Sequence, residues 1–175
     1  TPATVQCLLM PDVTKDSAKN RELLKTLLTV DALACVVRAF HDETVFHVEG
    51  SVDPLRDIDA VQAELLLNDL LFVETRLTRM AKELKGRGGA DRSREQALLA
   101  RLQAHLNDGR PLRTLTLDAQ EQRLLSGTPL VTRKPCLLVL NVDEAAVREH
   151  RLSEEVAQRY AAGLVSVVQL SAKIE

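Results

Sequence analysis

Ala32-Leu33-Ala34-Cys35-Val36-Val37-Arg38-Ala39-Phe40 is the stretch whose reading decides the fold. It is a nearly continuous apolar run with β-branched residues at its centre, the pattern of a parallel strand covered on both faces. Two further runs of the same kind follow late in the chain. Pro135 opens Cys136-Leu137-Leu138-Val139-Leu140, and Val165 to Leu170 makes another. Val5-Gln6-Cys7-Leu8-Leu9-Met10, ended by Pro11-Asp12, reads as one more short buried strand.

The segments between these runs have helical spacing. Leu23, Leu24, Leu27 and Leu28 form one stripe within residues 17–29. Asp118 is placed to cap a short helix through Leu125. Ser153 with Glu154 and Glu155 starts a helix through about Ala162, its acidic residues suiting the dipole, and Gly163 stops it. Strands alternating with helices predict an α/β fold on a parallel sheet.

The middle of the chain breaks that alternation. Leu66, Leu70, Val73, Leu77, Met80 and Leu84 recur at four- and three-residue steps, a heptad seam. Gly86-Arg87-Gly88-Gly89 interrupts it, and Leu98 or Leu99, Leu102 and Leu106 supply a return stripe that Asn107-Asp108-Gly109-Arg110-Pro111 ends. The reading is an antiparallel coiled-coil hairpin inserted into the sheet domain, giving strand-helix-strand over 1–52, the hairpin over 53–128, and the rest of the sheet domain over 129–175.

Composition narrows the function classes. The 175 residues are 45% hydrophobic and 27% charged, with a net charge of −2, which suits neither a nucleic-acid glove nor a trap for acidic substrates. Sequence-specific DNA recognition is not expected. Cys7, Cys35 and Cys136 each sit in an apolar run and read as buried free thiols in a reducing, cytoplasmic setting. His41, His47, His105 and His150 are dispersed, so no metal cluster is expected. No apolar stretch approaches the length of a membrane span. Aromatics are only 2%, so Leu, Val and Ala must build the core.

The chemistry concentrates at the ends of the last two strands. GTP-binding folds read the base with a strand-end Asn-Lys-x-Asp, in which Asn fixes the loop, the Lys stem covers the ring and the carboxylate accepts two hydrogen bonds from guanine. Here the strand ends in Asn141-Val142-Asp143-Glu144. Val142 offers no cation-tipped stem, and the longer Glu144 displaces the acceptor pair by about 1 Å, which weakens guanine selection. Ser171-Ala172-Lys173, after the last strand, supplies backbone N–H groups and a Lys stem to the same pocket. The candidate base-binding residues are therefore Asn141, Val142, Glu144, Ser171, Ala172 and Lys173. No residue is assigned to catalysis, and His47 and Asp53 read as turn and cap residues.

In sequence order these motifs resemble the YchF family, the bacterial Obg-like ATPases. The resemblance is carried by Asp31-Ala32-Leu33 with Val36-Val37-Arg38-Ala39-Phe40, then His47-Val48-Glu49-Gly50-Ser51-Val52-Asp53-Pro54, Asp57-Ile58 and Glu64-Leu65. Lys134-Pro135, Asn141-Val142-Asp143-Glu144 and Ser171-Ala172-Lys173-Ile174-Glu175 continue it, so the likeness runs from about Asn20 to Glu175. It implies a Ras-like G domain with a helical hairpin between its fourth and fifth strands, and a redox- and translation-associated ATPase that binds ATP or GTP with Mg, associates with ribosomes and carries a C-terminal TGS domain.

The departures from that pattern are as informative. These 175 residues contain no Gly-rich loop ending in Gly-Lys-Ser, so most of the expected phosphate affinity is missing. The family's Asp-x-x-Gly falls on Leu9-Met10-Pro11-Asp12, and Leu9 cannot organise a magnesium water. The Gly-rich segment expected before Asn20 shrinks to 13–19. With the first two G-domain strands and the TGS domain lacking, the expectation is a truncated or processed chain whose 32–40 strand has an open apolar edge. Such a chain is expected to be inactive alone, a remnant, or a hairpin module acting without nucleotide. The module reading rests on Arg76, Arg79, Lys82, Lys85, Arg87, Arg92, Arg94 and Arg101 around the hairpin tip, which could meet RNA phosphates on a ribosome.

Overall fold

The computed structural model describes residues 4–10, 24–47, 49–83 and 90–174. Its centre is a parallel sheet of β1 (Leu33–Ala39), β2 (Cys136–Val142) and β3 (Val165–Leu170), in the order β1-β2-β3. Leu33 lies opposite Cys136, and Cys136 opposite Val165. Helix α1 (Pro54–Glu83) and helix α2 (Ala90–Asn107) stand between β1 and β2, followed by the short α3 (Ala119–Leu124). Helix α4 (Arg151–Tyr160) links β2 to β3. Among the described residues no helix is long and apolar enough to cross a membrane.

Period-two alternation divides the sheet into unlike faces. Val37, Leu138, Leu140 and Val142 point into a core closed by Ile58 of α1 and Val156 of α4. Burying side chains of this size contributes roughly 1.5–3 kcal/mol each. The opposite face is open, with Val36 67% and Val168 42% exposed. The apolar run at 32–40 is thus covered on one face only, not on both as predicted, because α1 and α4 lie on the same side. Its predicted open edge is present, since β1 pairs only with β2 among the described residues.

The predicted strand at Val5–Met10 is not one. Residues 4–10 have no regular structure, Val5 and Leu9 are 82% and 100% exposed, and Cys7 is exposed instead of buried. A strand needs a neighbour to take its N–H and C=O groups, and among the described residues this segment has none. Cys136 is buried and Cys35 half-buried, as expected of free thiols in an apolar sheet; burial pushes the Cys35 thiol up to about 11.

The inserted helices form an antiparallel pair. Arg76 meets Glu95, while Glu74, nearer the start of α1, meets Gln103, further along α2. Val73 and Met80 of the predicted seam are buried against Leu98, Leu99, Leu102 and Leu106, with Leu66, Leu70 and Leu77 half-buried beside them. Leu84 and the Gly86-Arg87-Gly88-Gly89 break lie outside the described residues, as do Leu23 and residues 11–22. Helix α1 belongs to two layers, because its first half buries Ile58 under the sheet and its second half buries Val73 and Met80 in the hairpin.

Asp53 starts α1 by accepting the Arg56 N–H ahead of Pro54, a favoured first-turn residue. Asp118 caps α3 as predicted, in a reciprocal capping box with Glu121. Helix α4 begins at Arg151, earlier than Ser153, whose hydroxyl instead donates to the His150 carbonyl. Its end also differs from expectation. The left-handed residue is Leu164 (φ 49°), not Gly163, at a cost of roughly 1–2 kcal/mol for a side chain with a Cβ.

One buried carboxylate joins the hairpin to the sheet. Asp69, fully buried in mid-α1, accepts the N–H groups of Val131 (2.9 Å) and Thr132 (2.8 Å) and the Thr132 hydroxyl (2.6 Å). Burial pushes its carboxyl above the usual range, against the pull of those bonds. Asp69→Ala is expected to destabilise the chain by about 3–5 kcal/mol, read by urea denaturation, since it orphans several buried donors at once.

His105 locks the end of α2. Its Nε2 lies 2.8 Å from Thr114 Oγ1, and that hydroxyl donates to the Pro111 carbonyl, so Nε2–H is the donor. Burial holds the imidazole below its ordinary value. The unfolded chain therefore takes up this proton first as pH falls, and the stability His105 contributes is present above about 6.5 and lost below it. His105→Gln is expected to flatten the stability profile between about pH 7 and 5, measured by urea midpoints across that window.

Candidate nucleotide base site

Three chain segments meet at the carboxyl ends of the strands, the edge where open α/β sheets place ligands. Arg38 of β1 lies opposite Asn141 of β2, and Asn141 opposite Leu170 of β3. Alternation sends Val142 into the core and leaves Asn141 on the other face. The Asn141 side-chain oxygen accepts the Ala172 N–H at 3.0 Å, which ties the end of β2 to the segment after β3.

The loop after β2 is held from both sides. Asp143 accepts the Ala146 N–H, three residues on, at 2.8 Å, a capping-type bond ahead of the turn Ala146–Arg148. Gln169 of β3 donates to the carbonyls of Ala146 (2.8 Å) and Glu149 (2.9 Å). Glu144 stays at the surface and pairs with Lys173 at 3.1 Å, where both side chains are more than half exposed and the pair is worth little. Ser171 differs from these two. It is 3% exposed, and its hydroxyl has no hydrogen-bond partner among the described residues. A buried hydroxyl of this kind beside the Asn141–Ala172 bond is a polar group that the described fold leaves unsatisfied.

The loop after β1 is organised by Arg38. Its guanidinium donates to the carbonyls of Phe40 (3.1 Å), Asp42 (2.9 Å) and Val45 (2.9 Å), and lies 4.7 Å over the Phe40 ring. Asp42 is held below the usual carboxylate range by hydrogen bonds from Thr44, helped by the Arg38 and Lys173 charges. Lys173 thus acts on both flanking loops.

Of the residues predicted to read a base, the fold brings Asn141, Ser171 and Ala172 together. It pairs Glu144 with Lys173 at the rim and turns the Val142 side chain away into the core. Sequence reasoning missed Arg38, Asp42 and Gln169. The available signal was Arg38, the one charged residue inside an otherwise apolar strand run.

The basic residues of the hairpin are largely engaged. Arg76 donates twice to Glu95 (2.9 and 2.6 Å), and Arg101 holds Glu121 (2.7 Å) and the Thr116 carbonyl (2.9 Å). Arg79 and Arg92 have interaction partners as well. Lys82 and Arg94 are exposed, and Lys85 and Arg87 lie outside the described residues. His47 pairs with Asp57 at 3.1 Å and accepts the Glu49 N–H through Nδ1, a turn-forming role.

No protein-family model matches the chain. Individual proteins do. The ribosome-binding ATPase YchF of Bacillus subtilis is 35% identical over 170 residues, 95% of this chain and 46% of that protein. The chain belongs to the YchF family. Its relatives include the Obg-like ATPase 1 of Oryza sativa, 32% identical over 69% of this chain and 31% of that protein. The solved structure of the YchF GTPase of Schizosaccharomyces pombe superposes with a TM-score of 0.73 at 28% identity, covering 85% of this chain and 42% of that one. The chain spans about half the length of the YchF proteins it matches.

Arg38 gives this site a direct check. Arg38→Met removes the donors that hold residues 40–45, and is expected to speed amide exchange at Thr44 and Val45 while lowering global stability by only about 1–2 kcal/mol.

Proposed function

We propose that this chain is the base-reading part of a YchF-type nucleotide-binding protein, and that alone it neither hydrolyses nor tightly binds nucleotide. The observation that carries the reading is the Asn141–Ala172 hydrogen bond, which joins the predicted base-reading motifs into one edge. The relatives' names, ATPase and GTPase, support it. Asn141, fixed by its bond to Ala172 over the buried Ser171, is suited to the rim of a purine, with the Lys173 stem beside it. Glu144 engages Lys173, which favours a site not tuned to guanine, so ATP or GTP is the ligand class.

The donor set at this edge fits a base and not a phosphate–magnesium group. These 175 residues contain no Gly-Lys-Ser loop, and among the described residues no three potential ligands cluster to hold a metal ion. Without backbone N–H groups on the phosphates, most of the binding energy is absent. In this reading residues 1–52 and 129–175 make the sheet domain and 53–128 the inserted hairpin, in a cytoplasmic protein. A fluorescent ATP analogue is expected to show no saturable binding at micromolar concentration. Saturable binding would overturn the claim that the chain alone does not hold nucleotide, and binding unchanged by Glu144→Ala and Asn141→Ala would overturn the base site as well.

A second reading is favoured by the relatives named as ribosome-binding. Lys82 and Arg94 leave positive charge exposed on the hairpin, and Lys85 and Arg87 extend it in sequence. Ribosome co-sedimentation is expected at low salt, weakening as salt rises, and is expected to be lost on replacing Lys82, Lys85, Arg87 and Arg94 with Gln. Co-sedimentation that survives those replacements removes the hairpin charge from the interaction.

A further inference from the structure

Arg113 occupies a position that the base-reading motifs do not explain. It lies in the turn Leu112–Thr114, after the hairpin and far in sequence from either motif. Its Nε donates to the Gly163 carbonyl at 2.5 Å, and its Nη2 donates to Gln62 of α1 at 3.1 Å. Nη1 lies 3.5 Å from the carbonyl of Thr132, in the turn that leads to β2. One half-buried guanidinium therefore touches the hairpin helix and the approaches to both base-reading strands.

The residue after Gly163 is the unusual one. Leu164 has φ 49° and ψ 51°, and it is the one non-glycine residue with positive φ among the described residues. Its side chain is 65% exposed, so burial does not hold it in that conformation. Backbone strain of this kind persists only where the surroundings enforce it. Two contacts restrain it: the Leu164 N–H donates to the Ala161 carbonyl at 3.3 Å, and Arg113 donates to the preceding carbonyl of Gly163, the one of the two made by a side chain. Packing at Gly163 is also close, since a Cβ there would stand 3.4 Å from Val165 Cγ2 and 3.9 Å from Arg113 Nη2. Strand β3 begins at the next residue, Val165, and its far end delivers Ser171 and Ala172 to Asn141.

We infer that Arg113 is a positioning residue for the base-reading edge. Through Gly163 it holds the left-handed Leu164 and so sets where β3 delivers Ser171 and Ala172, and through Gln62 it ties that placement to the inserted hairpin. When the latch opens, Leu164 relaxes toward an ordinary backbone conformation and β3 loses its fixed starting point. The inference rests on reading the edge as a base site, but the latch itself is a property of the unliganded chain.

Amide exchange on the full chain tests it, with the Ala172 N–H as the reporter because its bond to Asn141 lies at the opposite end of β3 from the latch. Arg113→Met is expected to raise Ala172 exchange about tenfold, a local opening that leaves the α2 amides of Leu102 and Leu106 unchanged. Adding Leu164→Gly is expected to restore Ala172 protection, because glycine takes the left-handed conformation without strain. Gln62→Ala, which keeps the Gly163 bond, is expected to have a smaller effect of about threefold. If Arg113→Met does not fold, Arg113→Lys replaces it; a single ammonium cannot span Gly163 and Gln62 together, and the same local loss is expected.

Unchanged Ala172 exchange in the Arg113 variant overturns the proposal. So does a loss spread evenly over α2 and β2, or a failure of Leu164→Gly to restore protection, since either result marks a merely stabilising role. No nucleotide enters this measurement, so failure of base binding and failure of the latch are separate outcomes.

Discussion

The Asp69 carboxylate is the interaction on which the arrangement depends. A charge fully removed from water is tolerated only when its oxygens are saturated with donors, and Asp69 takes them from Val131 and Thr132. Thr132 passes the connection on, because its hydroxyl oxygen accepts the Leu112 N–H at 3.1 Å. The middle of α1, the return from the hairpin and the turn ahead of β2 are thereby held together. Without this cluster, the middle of the long helical insertion would lose its fully buried polar anchor to the turn ahead of β2, leaving the half-buried Gln62–Arg113 contact and apolar packing to set its orientation. The burial cost of the carboxylate is offset by geometric uniqueness.

That junction explains how a sheet of three strands can present an ordered edge with one face open. The first helix of the hairpin lies under the sheet, and its return turn holds the roots of β2 and β3. Parallel strands anchored at their amino ends carry their register to their carboxyl ends, where Asn141 meets Ala172. Arg38, Gln169 and Asp143 then fix the loops on either side through backbone carbonyls and N–H groups. This edge is assembled from main-chain contacts held by a few polar side chains.

Much of this was legible in the sequence. The runs at Leu33–Ala39, Cys136–Val142 and Val165–Leu170 announced the parallel sheet, and the leucine stripes announced the helical insertion. Asn141 and Ser171-Ala172 announced the edge. The errors share one cause. Val5–Met10 has the composition of a strand, but composition cannot supply the hydrogen-bonding partner a strand requires, and the segment stays exposed. The run at 32–40 is apolar on both faces, but whether both are covered depends on which side of the sheet the helices pack. Which of the hairpin arginines pair with acids could likewise not be read from the sequence, and Arg76 and Arg101 meet carboxylates on neighbouring segments.

The sequence by itself determined the three sheet strands, the helices between them, their order and the family, because periodicity, caps and short motifs are local and each residue carries its own signal. The tertiary structure alone decided which polar groups are satisfied and which are left over. Arg113, Asp69 and Thr132 lie in different segments, and nothing local distinguishes them from other surface-type residues. Burial gives them their roles, by removing water as an alternative partner and making each remaining hydrogen bond decisive. The same burial singles out Ser171, an ordinary serine in sequence and an unpartnered hydroxyl in the fold.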